Sequence, residues 1–535
     1  MSRRKLLALA SPVALAIGLT GCAAVGGGNI PSANTPITQT EAQQGREYHS
    51  QILQEFGGAM QGNTAAYVRD VGQRIAVQSG LANSQSAFTV SLLNSSVNNA
   101  FATTGGYVYT TRQLVTLMDN EAELAAVLGH EVGHVAARHA QRRQQAQQQN
   151  TLLGAAGAIL SGILLGDSQL GSTLGRAALQ GSQLLTLSFS RSQEEEADVL
   201  GVRYLSDAGY DPLAMSTVLE SLARQSALDA QLQGRDSASL PEWASTHPNP
   251  AGRVRDTATL AAGKPGNLLN REVFLRNIDG LTYGDDPEQG VVEGRQFIHP
   301  DLRFAFTAPQ GFYLVNGSQQ VTINGQSGQA ELRVSQSSGS LTQFVSSAFQ
   351  SLSGQGQAIR PQIQTTTVNG LPAAYGIGRA TSGNSQVDVV VFAYDMGGGQ
   401  TYYYQAIAPA GRSGVFTPMF ESFRRISSTE AAQVVPRVID VVTVQPRDTV
   451  ASLSRRMAYS NGQEARFRVL NSLDANEGLR AGSRRRRVGD GGHHGKLGKR
   501  GFGVGQAGLQ DMGQGQRIGL TMGNTIPGTQ LMGYR

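Results

Sequence analysis

The residues best placed for chemistry are His130 and His134, four positions apart in Gly129-His-Glu-Val-Gly-His134, with Glu131 directly after the first. Leu124, Val127 and Leu128 recur at helical spacing just upstream, which predicts a mostly buried helix that presents both imidazoles from one face. Side chains at i and i+4 can reach one metal ion, and a carboxylate at i+1 lies close enough to take a proton from a water between them. That is metal-assisted hydrolysis, as in zinc peptidases. On an otherwise apolar helix, such a polar set would leave buried charge uncompensated without a cation. Catalytic zinc usually takes three protein ligands, so a third is needed.

The candidate lies in Ser190-Arg-Ser-Gln-Glu194-Glu-Glu-Ala-Asp198, which opens a second helix, and a third motif follows at Thr246-His247-Pro248. In this order the three motifs resemble the HtpX and CAAX-prenyl-protease family of zinc metallopeptidases, in its periplasmic, outer-membrane-associated branch. The resemblance implies one zinc ion per chain held by His130, His134 and Glu194, with Glu131 as general base. Asp198 is then the partner that orients a ligand, and His247 is an active-site histidine. Three readings of His247 are open: a donor to the oxyanion, a latch that closes the fourth metal position, or a turn residue without a role. His139 falls off the ligand face and reads as structural or surface. Glu195 and Glu196 read as solvated or capping charges.

The elements that must position these groups come next. After Gly105-Gly106, Tyr107, Val108 and Tyr109 form a β segment just before the metal helix, expected to act as an edge strand that holds an extended substrate by its backbone. Helices are expected at 41–56 and 65–78 and a strand at 87–93. Residues 41–262 therefore read as a mostly α, zincin-like metallopeptidase domain with a small β-sheet, ending where Gly263-Lys-Pro-Gly266 breaks the pattern. The apolar run 151–165 is shorter than a membrane span. It reads as a helix packed on the core, a lid or a membrane-dipping hairpin.

Residues 1–21 have a basic start, a short apolar stretch and Leu19-Thr-Gly-Cys22, the pattern of a lipoprotein signal peptide. Cys22, the single cysteine, is the expected lipidation site, followed by a tether to residue 40. These features predict a periplasmic protein anchored to the outer membrane through its lipid. Residues 291–428 carry alternating runs at 302–306, 387–394 and 402–408 and helical ones at 341–352 and 416–423, a small α+β domain. Residues 436–482 resemble a degenerate LysM-like βααβ module in which Arg447 stands for the usual glycine. From Ser483 the chain turns basic, with fifteen glycines in its last 53 residues, and reads as a disordered tail or a shifted reading frame.

The net charge of +5 does not indicate nucleic acid. Arg3, Arg4 and Lys5 lie in the signal, and Ser483 to Arg535 carries +7, which leaves −5 for the body. The expected function is a zinc endopeptidase acting on polypeptides, in quality control of envelope proteins according to the resemblance. Peptidoglycan or outer-membrane assembly proteins are candidate partners. The alternative is a chaperone-like or scaffolding lipoprotein with a latent zinc site.

Overall fold

The computed structural model describes residues 35–143, 189–232 and 247–491, apart from 57, 249, 319, 338, 353–358 and 383–384. Cys22, the run 151–165, Trp243 and the chain from residue 492 lie outside the described residues. Among those described, no helix is long and apolar enough to cross a membrane.

The first domain opens with α1 (Gln39–Glu55), whose Thr38 and Glu41 form a reciprocal capping box. It continues with α2 (Asn63–Ala76) and a sheet of β1 (Thr89–Leu93), β2 (Ala100–Thr103) and β3 (Tyr107–Thr111). The short α3 (Arg112–Leu117) leads to α4 (Glu121–Ala136), in which every residue except Val135 is buried. A helix covered on all sides is a core element, and α2, β2 and α5 (Arg191–Asp207) provide the cover. Glycine sets how closely α4 and α5 approach. A Cβ on Gly133 would lie 3.0 Å from the Ala197 carbonyl, and one on Gly201 would lie 3.2 Å from the His130 nitrogen. Larger residues there would push Glu194 away from the two histidines.

Then come α6 (Ala214–Leu232), α7 (Pro250–Ala261) and α8 (Arg271–Ile278). Beyond the expected domain end near Ala262, later residues still pack on the same core. Gly263 and Gly266, both at positive φ, only reverse the chain. Leu268 then bridges to Tyr210, while Phe274, Leu275, Ile278, Leu281 and Tyr283 join the core that contains α4.

The expected α+β domain is present as two sheets. β4 (Thr282–Tyr283) precedes it. One sheet has the order β15-β7-β6-β5, from β5 (Val291–Glu293), β6 (Gln296–His299), β7 (Phe304–Thr307) and β15 (Arg424–Arg425). The other has seven strands in the order β11-β12-β13-β14-β10-β9-β8. These are β8 (Phe312–Asn316), β9 (Val321–Gly325), β10 (Gly328–Gln336), β11 (Gln362–Val368), β12 (Leu371–Ser382), β13 (Ser385–Asp395) and β14 (Gln400–Pro409). The helix α9 (Leu341–Leu352) packs on β12 and β13 through Val345 and Phe349, and α10 (Thr417–Ser422) and α11 (Ser428–Ala432) complete the domain.

The C-terminal module consists of β16 (Arg437–Thr443), α12 (Val450–Ser454), α13 (Gln463–Leu470) and β17 (Arg484–Asp490). Its expected end at 482 is corrected. The arginine-rich segment assigned to a tail pairs along its whole length with β16, from Arg484 opposite Thr443 to Asp490 opposite Arg437. The module is also not free-standing, because β4 extends its sheet and Ile439, Leu453, Phe467 and Val488 belong to the core of the first domain.

Candidate metal centre

His130 and His134 project from α4 one turn apart, with their Nε2 atoms 3.0 Å from each other. Glu194 faces them from the first turn of α5, a helix started by Ser190 and Gln193 in a capping box. Its carboxylate lies 3.5 Å from His130 Nε2 and 3.4 Å from His134 Nε2. His247, just before α7, brings Nδ1 to 3.3 Å from His130 Nε2 and 3.1 Å from Glu194 Oε1. All four residues are buried, and their ligand atoms lie within 4.8 Å of one another.

These separations fit a cation. Four N and O donors about 2.0–2.1 Å from a tetrahedral centre stand roughly 3.3 Å apart, and five of the contacts among these residues run from 3.0 to 3.5 Å. Charge points the same way. With neutral imidazoles, the Glu194 and Asp198 carboxylates face a single guanidinium, that of Arg253, so one negative charge has no counterpart among them. Burial alone would lower the His130 pKa, yet hydrogen bonds to Asp198 and Glu194 outweigh it and move it upward. His134 moves the other way, well below the ordinary range, because burial dominates.

A second ring fixes the first. Asp198, one turn beyond Glu194, sits 3.0 Å from His130 Nδ1, a contact that directs the His130 Nε2 lone pair into the cluster. Arg253 donates to Asp198 at 2.5 and 2.7 Å and to Glu194 at 2.5 Å, and so holds both carboxylates from α7. Burial would raise the Asp198 pKa, but His130 and Arg253 bring it down; burial would likewise raise that of Glu194, but His247, His130 and His134 hold it far below the carboxylate range. Phe189 stacks on His134 with ring centroids 3.8 Å apart.

Glu131 lies beside the cluster, buried, with Oε1 lacking a hydrogen bond. His247 Nε2 is 3.3 Å from that oxygen without hydrogen bonding to it. Burial pushes its carboxyl up to about 8, aided by Glu194 and opposed by His247 and Arg253. A carboxylate of this basicity next to a metal cluster can accept a proton near neutral pH.

Three expectations change. The segment Gly105, Gly106, Tyr107, Val108 and Tyr109 is not an edge, since β3 is the central strand, paired with β1 in parallel and with β2 in antiparallel register. Its backbone groups are taken, so it cannot add a substrate strand. The edge that borders α4 is β2. Of the structural and surface readings of His139 only the structural one stands, since the residue is fully buried and lies 2.8 Å from His134 Nδ1. Glu196 is more than a capping charge, since it meets His139 at 3.1 Å and Arg142 at 2.9 Å, whereas Glu195 is exposed. Sequence reasoning gave no role to Phe189, which directly precedes Ser190, or to Arg253, five residues after Pro248.

A buried His/His/Glu/His set that could hold a metal ion, with a carboxyl group beside it, is the donor arrangement of a hydrolytic metal centre. Residues 63–261 match the family profile described as Peptidase family M48. The beta-barrel assembly-enhancing protease of Escherichia coli O157:H7 is 37% identical over 199 residues, which cover 36% of this chain and 38% of that protein. The mitochondrial metalloendopeptidase OMA1 of Schizosaccharomyces pombe is 31% identical over 221 residues, 40% of this chain and 59% of that protein. Metalloprotease LoiP of Escherichia coli K12 is 34% identical over 160 residues, 29% of this chain and 56% of that protein. The chain thus spans between about two and three fifths of the length of these relatives.

Proposed function

We propose that the protein is a zinc-dependent endopeptidase of the bacterial cell envelope, exported and lipid-anchored at Cys22, that cleaves polypeptides during quality control of outer-membrane proteins. The observation that carries this reading is the convergence of His130, His134, Glu194 and His247 beside Glu131. The envelope assignment draws support from the name of the assembly-enhancing relative and from the lipoprotein-like N-terminus.

His130, His134 and Glu194 would hold the zinc ion, which when bound polarises the peptide carbonyl and acidifies water. Glu131 takes a proton from the attacking water at its unpartnered Oε1 and passes it to the leaving amine. Asp198 and Arg253 keep His130 and Glu194 oriented while charge shifts. The β2 edge offers its backbone to an extended substrate. His247, within the donor set, acts as a latch that substrate must displace, in preference to a standing oxyanion donor.

Casein cleavage by the full-length protein tests this reading. It should be lost on chelation, restored by zinc and reduced at least about a hundredfold in Glu131→Gln. Cleavage that survives in that variant would refute it.

A further inference from the structure

The most deeply buried cation of the C-terminal module is Arg486, fully enclosed in the middle of β17. Its own backbone is fixed by Asn471, which accepts from the Arg486 amide at 2.8 Å and donates to its carbonyl at 2.7 Å. The guanidinium leaves the module and enters the first domain, where it donates to the carbonyls of Thr116, at 2.9 Å, and Met118, and to the Asp119 carboxylate. These residues form the end of α3 and the turn before α4. Arg271 of α8 holds the same turn through the Asp119 carbonyl at 2.6 Å, and the Arg484 carbonyl holds Arg271 at 3.2 Å.

The turn fixes the start of the metal helix. Asn120 caps α4 by accepting from the Glu123 amide at 3.0 Å, and the Asp119 amide donates to Glu123 at 2.7 Å. Thr217 of α6 donates to the other Glu123 oxygen at 2.7 Å. Nine residues separate Glu121 from His130, roughly 14 Å along a helix packed on all sides. Such an element moves as a rod, so a shift at its first turn reaches both histidines.

We infer that Arg486 is a positioning residue for the metal centre and that the C-terminal module serves as a built-in brace of the metal helix. This inference rests on the peptidase reading for its kinetic consequence but not for its mechanical one. A module that only tethers the chain to another surface would need no fully buried arginine in the neighbouring domain. The geometry instead makes metal retention and turnover depend on a side chain more than 350 residues from the histidines in sequence.

The test compares full-length wild type, Arg486→Met and Arg486→Lys, each well below its own unfolding temperature. In Arg486→Met, zinc transfer to a chromophoric chelator should quicken roughly tenfold and casein kcat should fall roughly tenfold with KM within twofold. Arg486→Lys, which keeps a donor for one of the three acceptors, should recover part of both losses. In metal-free protein, amides of α4 should exchange with solvent faster in Arg486→Met while those of α9 in the α+β domain keep wild-type rates. Wild-type zinc transfer, kcat and α4 exchange in Arg486→Met would overturn the inference. If wild type neither took up zinc nor cleaved casein, the peptidase reading would fall, and the exchange experiment would still decide the brace. Should Arg486→Met not fold, Arg486→Lys carries the same comparison, with intermediate losses expected and wild-type values overturning the inference.

Discussion

Replacing Arg253 with methionine removes the only guanidinium that bridges Glu194 and Asp198 among the described residues. Methionine roughly keeps the volume and leaves two carboxylates buried against His130 with no fixed cation. The side chains of Arg253, Glu194 and Asp198 are 4%, 0% and 3% exposed, so water screens the loss very little. Breaking a buried ion pair from one side costs about 3–5 kcal/mol. For a domain of this size that is a fall in Tm of roughly 6–20 °C. A bound divalent cation supplies the missing charge at Glu194, so the deficit should be largest in chelated protein and shrink in zinc-loaded protein. Differential scanning calorimetry on both forms reads the two numbers. A variant within 2 °C of wild type after chelation, or one with the same deficit in both forms, would refute the electrostatic reasoning.

Glu123, fully enclosed under the α4 cap, has its pKa raised to about 7 by burial and by Asp119. Its carboxyl is therefore easier to bury protonated, so its contribution to stability is fully present below the unfolded value near 4.5 and is lost as pH rises through about 7, with a slope of at most about 1.4 kcal/mol per pH unit. Chemical denaturation of Glu123→Gln should show a smaller decline from pH 5 to pH 8 than wild type, and parallel profiles would exclude the effect. Truncation after Gly482 removes β17, with the buried Val488 and Arg486, and should cost at least about 3 kcal/mol in thermal unfolding. An unchanged Tm would return that segment to a tail. His247→Ala should raise basal casein cleavage at unchanged zinc content if the residue is a latch, and lowered kcat would make it an oxyanion donor instead.

What could be read from the sequence follows local spacing. His130 and His134 share a helix, and Glu194 and Asp198 share the next, so period alone put each pair on one face. Partnerships across the chain were hidden. Arg486 looks like tail composition, because the carbonyls of Thr116 and Met118 that satisfy it leave no trace near it in sequence. The β3 segment looked like an edge because its parallel neighbour β1 comes back across the sheet only after folding. Arg253 had a visible signal, an arginine one helical turn after Pro248-Asn-Pro250, but its role needs two acidic partners from α5.

The central claim is that these residues form a zinc site in which ligand and base are separate groups. Elemental analysis of purified full-length wild type, Glu131→Gln and Glu194→Gln tests it most directly. One zinc per chain is expected in wild type and Glu131→Gln, with substantial loss in Glu194→Gln. Wild type without zinc, or equal loss of metal from both variants, would contradict the account.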